Sequence, residues 1–345
     1  MKRSHPRVVA FGDLLLRLNA PGYERLVQAE AFEVRYTGAE ANVAAMLASL
    51  GVDARVISKV PNNEIGQACV NFLRRYGIDT RHIARGGDRL GLFYLETGAS
   101  QRASRVIYDR AHSAFTEVEP SDFDWDEILA GADWFHFSGT APASGSGVIS
   151  ALRDGLTIAR KNGVTVSCDL NYRAKLWSPS EAGLVMSGLM CYVDVLIGNE
   201  EDAVTVFGLE APGVEIAHGK FQASSYKRIA VQLKEKFGFK YVATTLRRSS
   251  SASLNNWSGL LFDGKDHYSS REYEILPVVD RVGGGDSFSA GLIWGLLEAW
   301  EPQRCVEFAA AASCLKHTIL GDFNLVSSEE VEALVAGDVF GRIRR

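Results

Sequence analysis

The sequence predicts an α/β fold: a mostly parallel central sheet flanked by helices on both faces, with a small antiparallel sheet added to it. Three observations carry this. Apolar runs of strand length alternate with segments of helical period over most of the 345 residues. The order helix, glycine, strand recurs at Gly51, Gly77 and Gly163. Residues 14–36 and 91–110 break the rhythm, holding strand-like pieces with no helix between them. A chain of this length fits one large domain, residues 1–345, with an accessory piece.

In order, Val8-Val-Ala-Phe-Gly12 is the first strand. A helix over residues 39–50 carries Val43, Met46, Leu47 and Leu50 at i, i+3, i+4 and i+7 and stops at Gly51. Residues 55–60 read as a strand. A second helix places Ile65, Ala68, Cys69, Phe72, Leu73 and Tyr76 on one face and ends at Gly77. The pieces at 14–18, 32–36, 91–96 and 104–108 form the small sheet, spanning about 14–37 and 91–110. Such a sheet is placed to close as a lid over the ligand edge, and a plain sheet extension is the alternative. Strands follow at Trp134-Phe-His-Phe137, 164–168 and 193–198, then helices over 286–300, 304–317 and 327–335.

Composition excludes several function classes. With 46% hydrophobic and 23% charged residues the chain reads as a soluble globular protein, and no apolar run approaches the ~18 residues of a membrane span. The apolar stretch after the basic N-terminus is too short for a secretory signal, so a cytoplasmic location is expected. Five cysteines form no CxxC pair and read as buried free thiols, not zinc ligands or disulfides. Net charge is -5, and the one basic cluster, Gly341-Arg-Ile-Arg-Arg345, reads as a solvated tail. Nucleic acid is not an expected partner.

In an open α/β sheet ligands bind beyond the carboxyl ends of the strands. Four polar groups fall there: Gly12-Asp13, Asp169-Leu-Asn171-Tyr-Arg173, Asn199-Glu-Glu-Asp202, and the loop Asp280-Arg-Val-Gly283-Gly284-Gly285-Asp286. Three glycines before a helix leave backbone N–H groups free to hold a phosphoryl group. The positive end of that helix favours an ionised Asp286. A carboxylate beside an anion-binding turn suits phosphoryl transfer to an alcohol, although a plain glycine-rich turn explains the loop equally well when taken alone. No GxxxxGK[ST], strand-linked GxGxxG or His-Arg-Asp catalytic loop occurs. Asn199 to Asp202 offers oxygens for magnesium, or merely caps a helix, and Asp169 has the same ambiguity. His136 reads as structural, and no histidine is given a catalytic role. The alanine-rich run before His317 fits either an adenine or tight helix packing.

The loop Asp280-x-x-Gly-x-Gly-Asp286, the stretch Gly38-Ala-Glu-Ala-Asn42-Val-Ala and Asn199-x-x-Asp202 resemble the ribokinase-like (PfkB) sugar kinases over nearly the whole chain. Gly38-Ala-Glu-Ala-Asn42, Arg105-Val-Ile-Tyr-Asp-Arg-Ala-His-Ser113, Asp169-Leu-Asn-Tyr-Arg-Ala-Lys-Leu-Trp177 and Leu315-Lys-His-Thr-Ile-Leu-Gly-Asp322 are similar to the 2-keto-3-deoxygluconate kinases within that family. The resemblance implies transfer of the γ-phosphoryl group of ATP, with Mg2+, to the 6-hydroxyl of that sugar acid. It makes Asp286 the catalytic base and the N–H groups of Gly283, Gly284 and Gly285 the anion hole. It assigns Asp13, Gly38, Asn42, Tyr94, Tyr108, Arg110, Arg173 and Asp322 to the sugar acid. Asn171, Asn199, Thr245, Arg247 and Asp280 fall to the nucleotide, and Asp169 and Asp202 to the metal. Arginine's planar fork suits the carboxylate of a sugar acid. Another substrate of the family, such as fructose, ribose or a related keto-sugar acid, and a sugar-binding regulator without turnover remain as alternatives. A monovalent cation at the loop is left open. Apolar residues such as Leu14 and Phe93 on a sheet with free edges lead us to expect a homo-oligomer through the lid.

Three departures from the family pattern stand out. Gly284 replaces the usual alanine, keeping the donor but adding flexibility. Asp202 replaces glutamate, which shortens the reach toward a metal. Residues 244–257 form a longer, serine-rich stretch in place of a Lys-Leu-Gly turn, leaving open which of them hold the nucleotide.

Overall fold

The computed structural model describes residues 5–199, 201–209 and 223–338, so the basic cluster at 341–345 and Glu200 lie outside the described residues. Along the chain come β1 (Arg7–Phe11), β2 (Leu15–Asn19), β3 (Glu33–Thr37), α1 (Ala39–Ser49), β4 (Asp53–Ile57), β5 (Lys59–Val60), α2 (Glu64–Arg75), β6 (Ala84–Arg85), β7 (Gly91–Glu96) and β8 (Arg105–Asp109). They are followed by α3 (Trp125–Ile128), β9 (Trp134–Ser138), α4 (Ser146–Lys161), β10 (Thr165–Asp169), α5 (Pro179–Leu189), β11 (Val195–Asn199), α6 (Asp202–Phe207) and α7 (Ala223–Phe237). The last part holds β12 (Tyr241–Ser249), β13 (Asn255–Phe262), β14 (His267–Ser269), β15 (Tyr273–Ile275), α8 (Gly284–Leu297), α9 (Pro302–Lys316) and α10 (Ser328–Val335).

Among the described residues the main sheet has nine strands, ordered β14-β13-β12-β11-β10-β9-β1-β4, with β15 paired to β13. Neighbours from β4 to β12 run parallel, and β13 to β15 add an antiparallel edge. A strand buried on both faces needs apolar residues at every position, and β1 supplies them: Val8, Val9, Ala10 and Phe11 are all fully buried. Val8 and Ala10 join the core beneath α1, α8 and α9, while Val9 and Phe11 join the core beneath α4 and α5. The chain places β4 on one side of β1 and β9 on the other, so the order reverses there and opens a crevice at the carboxyl ends.

Local signals account for the helix ends. Gly51 and Gly77 follow α1 and α2 in the left-handed region, at φ 85 and 77. Asn63 caps α2 by accepting from the Gly66 N–H at 3.0 Å. Ile65, expected on the buried face of that helix, is 47% exposed because the packed stripe runs through Gly66, Cys69, Val70 and Leu73. The five cysteines are free, four of them buried and Cys191 exposed. No described helix is long and apolar enough to cross a membrane.

The second sheet runs β3-β2-β7-β8. Its two outer pairs are antiparallel, whereas β2 and β7 pair in parallel. Register sorts its side chains into rows. Arg35, Arg17, Phe93 and Tyr108 form one, and Val34, Leu18, Tyr94 and Ile107 the next. Arg17 and Phe93 are buried while Val34 and Ile107 are exposed, so the first row faces the main body and the second faces away.

Candidate active site

One cavity of about 450 Å³ lies where the second sheet meets the carboxyl ends of β1, β10, β11 and β12. Asp286, on the first turn of α8, lines it. Its Oδ2 accepts from Asn42 Nδ2 at 2.6 Å, and Asn42 Oδ1 accepts from Thr37 Oγ1 at 3.1 Å. The Gly38-to-Asn42 stretch thus orients the carboxylate. Gly38 itself lies so close to Asp13 that a Cβ would sit 2.3 Å from the Asp13 carbonyl oxygen. Burial pushes the Asp286 carboxyl up to about 6, against the opposing effects of the Asn42 hydrogen bond and Arg173. The group thus sits near the pH at which a carboxylate is most useful as a proton acceptor.

The glycine loop is shaped by its neighbours. Gly283 caps α8 at φ 86, and a Cβ there would meet the Asp322 carbonyl oxygen at 2.1 Å. At Gly284 a Cβ would meet His317 Cε1 at 2.6 Å, so this histidine fills the space an alanine methyl would take. The Gly284 carbonyl accepts from Ser313 Oγ at 2.6 Å, which restrains the residue whose flexibility the sequence raised. Gly285 has nothing within 4 Å of its Cβ direction and borders the cavity.

Around the loop, Asp13, Gly38, Asn42, Tyr108, Arg110, Arg173 and Asp322 line the cavity as expected, and so do Asn171, Asn199, Thr245, Arg247, Asp169 and Asp202. Asn171 adopts φ 40, a left-handed turn that Asn tolerates better than most residues, and so turns the chain after β10. Arg110 stacks over the Tyr108 ring at 4.4 Å and lies 3.9 Å from Asp13. Asp13 Oδ1, Asp322 Oδ2 and Arg110 Nε are buried without partners. Such atoms are costly to leave unmade, so they call for a polar ligand.

Two expected site residues lie elsewhere. Tyr94 belongs to the outward row of the second sheet and packs on Phe32 at 5.6 Å; its neighbour Phe93 faces the cavity instead. Asp280 does not line the cavity. Its carboxylate takes Arg17 Nη2 at 2.7 Å and the Gly321 N–H at 3.1 Å, which makes it an internal brace of the loop. The alanine-rich run is also settled: Ala309 to Ala312 are fully buried, and a Cβ on Gly291 would meet Ala309 Cα at 2.9 Å, so tight packing of α9 on α8 explains the small residues. His136 is buried with Nδ1 2.8 Å from Ser167 Oγ, and burial pulls its imidazole down to about 3, in keeping with a structural role.

With this geometry in place, comparison with known proteins is decisive. The pattern of the pfkB family carbohydrate kinases matches residues 5–324. The chain belongs to the pfkB family of carbohydrate kinases. It is similar to the crystal structure of 2-dehydro-3-deoxygluconokinase from Thermotoga maritima, with 51% identity, 96% of this chain and 100% of that one covered, and a TM-score of 0.93. It is 32% identical to a 2-dehydro-3-deoxygalactonokinase of Haloferax volcanii over 96% of both chains. An uncharacterized sugar kinase of Pyrococcus horikoshii in complex with ATP shares the fold, with a TM-score of 0.73 at 21% identity over 94% of this chain and 96% of that one.

As a carbohydrate kinase the chain works with a nucleotide and a metal, and its acidic residues fit Mg2+. Burial first, then the charges of Asp202 and Asp286, hold Asp169 well above the usual carboxylate range. Burial also raises Asp202, partly offset by the Asn199 backbone and Arg173. A cation relieves such crowding. Among the described residues no three His, Cys, Asp or Glu side chains come close enough to hold a metal unaided, so phosphate oxygens and waters would complete the shell, as Mg2+ prefers.

Sequence reasoning passed over several cavity residues of this pfkB kinase. Trp257 lies opposite Arg247 in the β12–β13 pair, 5.1 Å from the His317 ring, and its buried Nε1 has no partner. Arg281 and His317 line the same end. Arg281 sits inside the quoted loop motif and was readable as a cationic neighbour of the glycines. Trp257 carried no local signal, because only strand pairing brings it beside Arg247.

Proposed function

We propose that this pfkB kinase transfers the γ-phosphoryl group of ATP to the 6-hydroxyl of 2-keto-3-deoxygluconate, the compound also called 2-dehydro-3-deoxygluconate, giving its 6-phosphate. The observation that carries the substrate class is that Arg110 and Arg173 border the same cavity as Asp286 and the glycine loop. A sugar acid needs cationic partners at one end and a base with anion-binding donors at the other. The unpartnered oxygens of Asp13 and Asp322, which line the same cavity, suit sugar hydroxyls, which donate.

In this reading Asp286 accepts the hydroxyl proton as the oxygen attacks phosphorus, and Asn42 keeps its carboxylate aimed. The N–H groups of Gly283, Gly284 and Gly285 receive the charge that develops on the transferring group. Arg247, Thr245, Asn171 and Asn199, which line the same cavity, would hold the nucleotide. Asp169 and Asp202 would hold Mg2+, which supplies positive charge to the phosphates. The domain is a single ribokinase-like unit, and its second sheet, over about 14–37 and 91–110, acts as a lid. Exposed Val34 and Ile107 on the outer row support self-association through it, and a cytoplasmic setting suits the substrates.

The Haloferax volcanii relative favours a second reading, in which the C4 epimer of the acid is taken as well or instead. A panel of both epimers, fructose and ribose, assayed by ADP release, decides among them. Turnover with the gluconate-derived acid is the expected result; turnover with neutral sugars alone overturns the assignment. Arg173→Ala is expected to raise KM for the acid by about 10-fold to 10²-fold, in line with loss of a charge-assisted contact, and to raise KM for a neutral sugar far less; because the same charge acts on Asp286 and Asp202, any change in kcat is expected with both substrates.

A further inference from the structure

Lys316 is the last residue of α9 and has no exposed surface. A lysine is almost never fully buried without a reason, since its ammonium must find compensation. Here the compensation is backbone. Nζ donates to the Asp280 carbonyl at 3.2 Å and to the Ile319 carbonyl at 3.2 Å. These two carbonyls belong to the start of the glycine loop and to the segment leading into Asp322. The carboxylates of Asp280 and Asp322 add their charge and oppose the effect of burial, which lowers the ammonium's pKa. The side chain also runs beneath the loop: Lys316 Cε lies 3.2 Å from where a Cβ on Gly283 would be. Arg17 closes the arrangement by pairing with both Asp280 and Asp322.

A positive ion on backbone carbonyls, flanked by carboxylates and set directly behind an anion-binding turn, is the environment of a bound monovalent cation. In this chain the ion is covalently attached. We propose that Lys316 is a positioning residue acting as a built-in monovalent cation: it holds the carbonyls of residues 280 and 319 together, keeps Gly283 to Gly285 aimed at the phosphoryl group, and makes the kinase independent of K+. The proposal rests on the phosphoryl-transfer reading of the same site. A residue without a donor, such as methionine, would leave those carbonyls buried and unmade.

The test compares wild type, Lys316→Met and Lys316→Gln with K+, NH4+, Na+ or tetramethylammonium as the sole monovalent cation. Wild-type rate and melting temperature are expected to be the same in all four. Both variants are expected to lose about 10-fold to 10²-fold in kcat with little change in KM for the sugar, as when an anion-hole donor is misplaced. K+ and NH4+ are expected to restore part of that loss and to raise the variants' melting temperature, while tetramethylammonium, too large for the gap, does neither. The glutamine variant keeps a donor without the charge, so equal loss in both variants assigns the effect to charge. Activation of wild type by K+ overturns the proposal. So does a folded variant with full activity, or one that no cation rescues in rate or in melting temperature. If wild type turns over no sugar, the functional reading fails, and the melting arm still decides this proposal. If neither variant folds, the response of wild type to K+ decides it.

Discussion

Asp286→Asn is expected to lower kcat by about 10²-fold to 10⁴-fold, the range a positioned proton acceptor contributes, with KM for the sugar acid little changed. Asparagine keeps an oxygen for the Asn42 side-chain amide but loses the negative charge and the ability to take a proton. The pH dependence follows from the same group. Its carboxyl is raised from 3.8 to about 6, chiefly by burial, so the free enzyme holds the base protonated below that pH. kcat/KM is expected to fall tenfold per unit below about pH 6 and to be flat above it. Mg2+ and the bound phosphates change the field around the carboxyl, so the limb for kcat lies at a different pH from that for kcat/KM. Stability supplies a control with the opposite sign. A folded pKa above the unfolded one means that ionisation penalises the native state as pH rises from about 4 to 6, and that the penalty is full above 6. The asparagine variant escapes it, and its melting temperature at pH 8 is expected to equal or exceed that of wild type. A variant that is inactive because it is less stable at pH 8 would remove the support for a catalytic role.

Gly283→Ala carries the second large effect. The residue sits at φ 86, where alanine is strained by about 1–2 kcal/mol. Its new methyl would also stand 2.1 Å from the Asp322 carbonyl oxygen, a backbone atom that cannot swing aside. The loop must move, and with it the donors that meet the phosphoryl group. Loss of about 10²-fold to 10³-fold in kcat is expected, the scale for removing one anion-hole donor, together with a lower melting temperature. Gly285→Ala is the comparison, because no atom lies within 4 Å of its Cβ direction. That variant is expected to fold like wild type and to act only through the space it takes from ligands. Equal kinetics and melting for Gly283→Ala and wild type would show that the loop does not depend on this conformation.

Much of the architecture was legible from local pattern. β1, α1, β10, β11, α8 and α9 follow from apolar period and glycine stops, because these signals reside in a few consecutive residues. Three of the four strand-end groups could be placed at the cavity edge for the same reason, as could Asp286, since a helix that begins at three glycines has only one place for its first carboxylate. The resemblance to the pfkB kinases then added roles that spacing alone left open.

What the chain's own order could not determine was parity and distant partnership. Whether Tyr94 or Phe93 faces the cavity depends on a register shared with Leu18 and Ile107, and a shift of one residue exchanges the two faces. Asp280 looks like a nucleotide ligand until Arg17, 263 residues away, occupies its carboxylate. Gly284 looks like a loss of order until His317 is seen filling the space beside it, and Lys316 looks like a helix-end lysine until its ammonium is found on the Asp280 carbonyl. Local sequence determines which backbone can bend and which faces are apolar. Which charges neutralise one another is decided only when burial removes water and leaves each polar group to the partner that the tertiary fold has brought within reach.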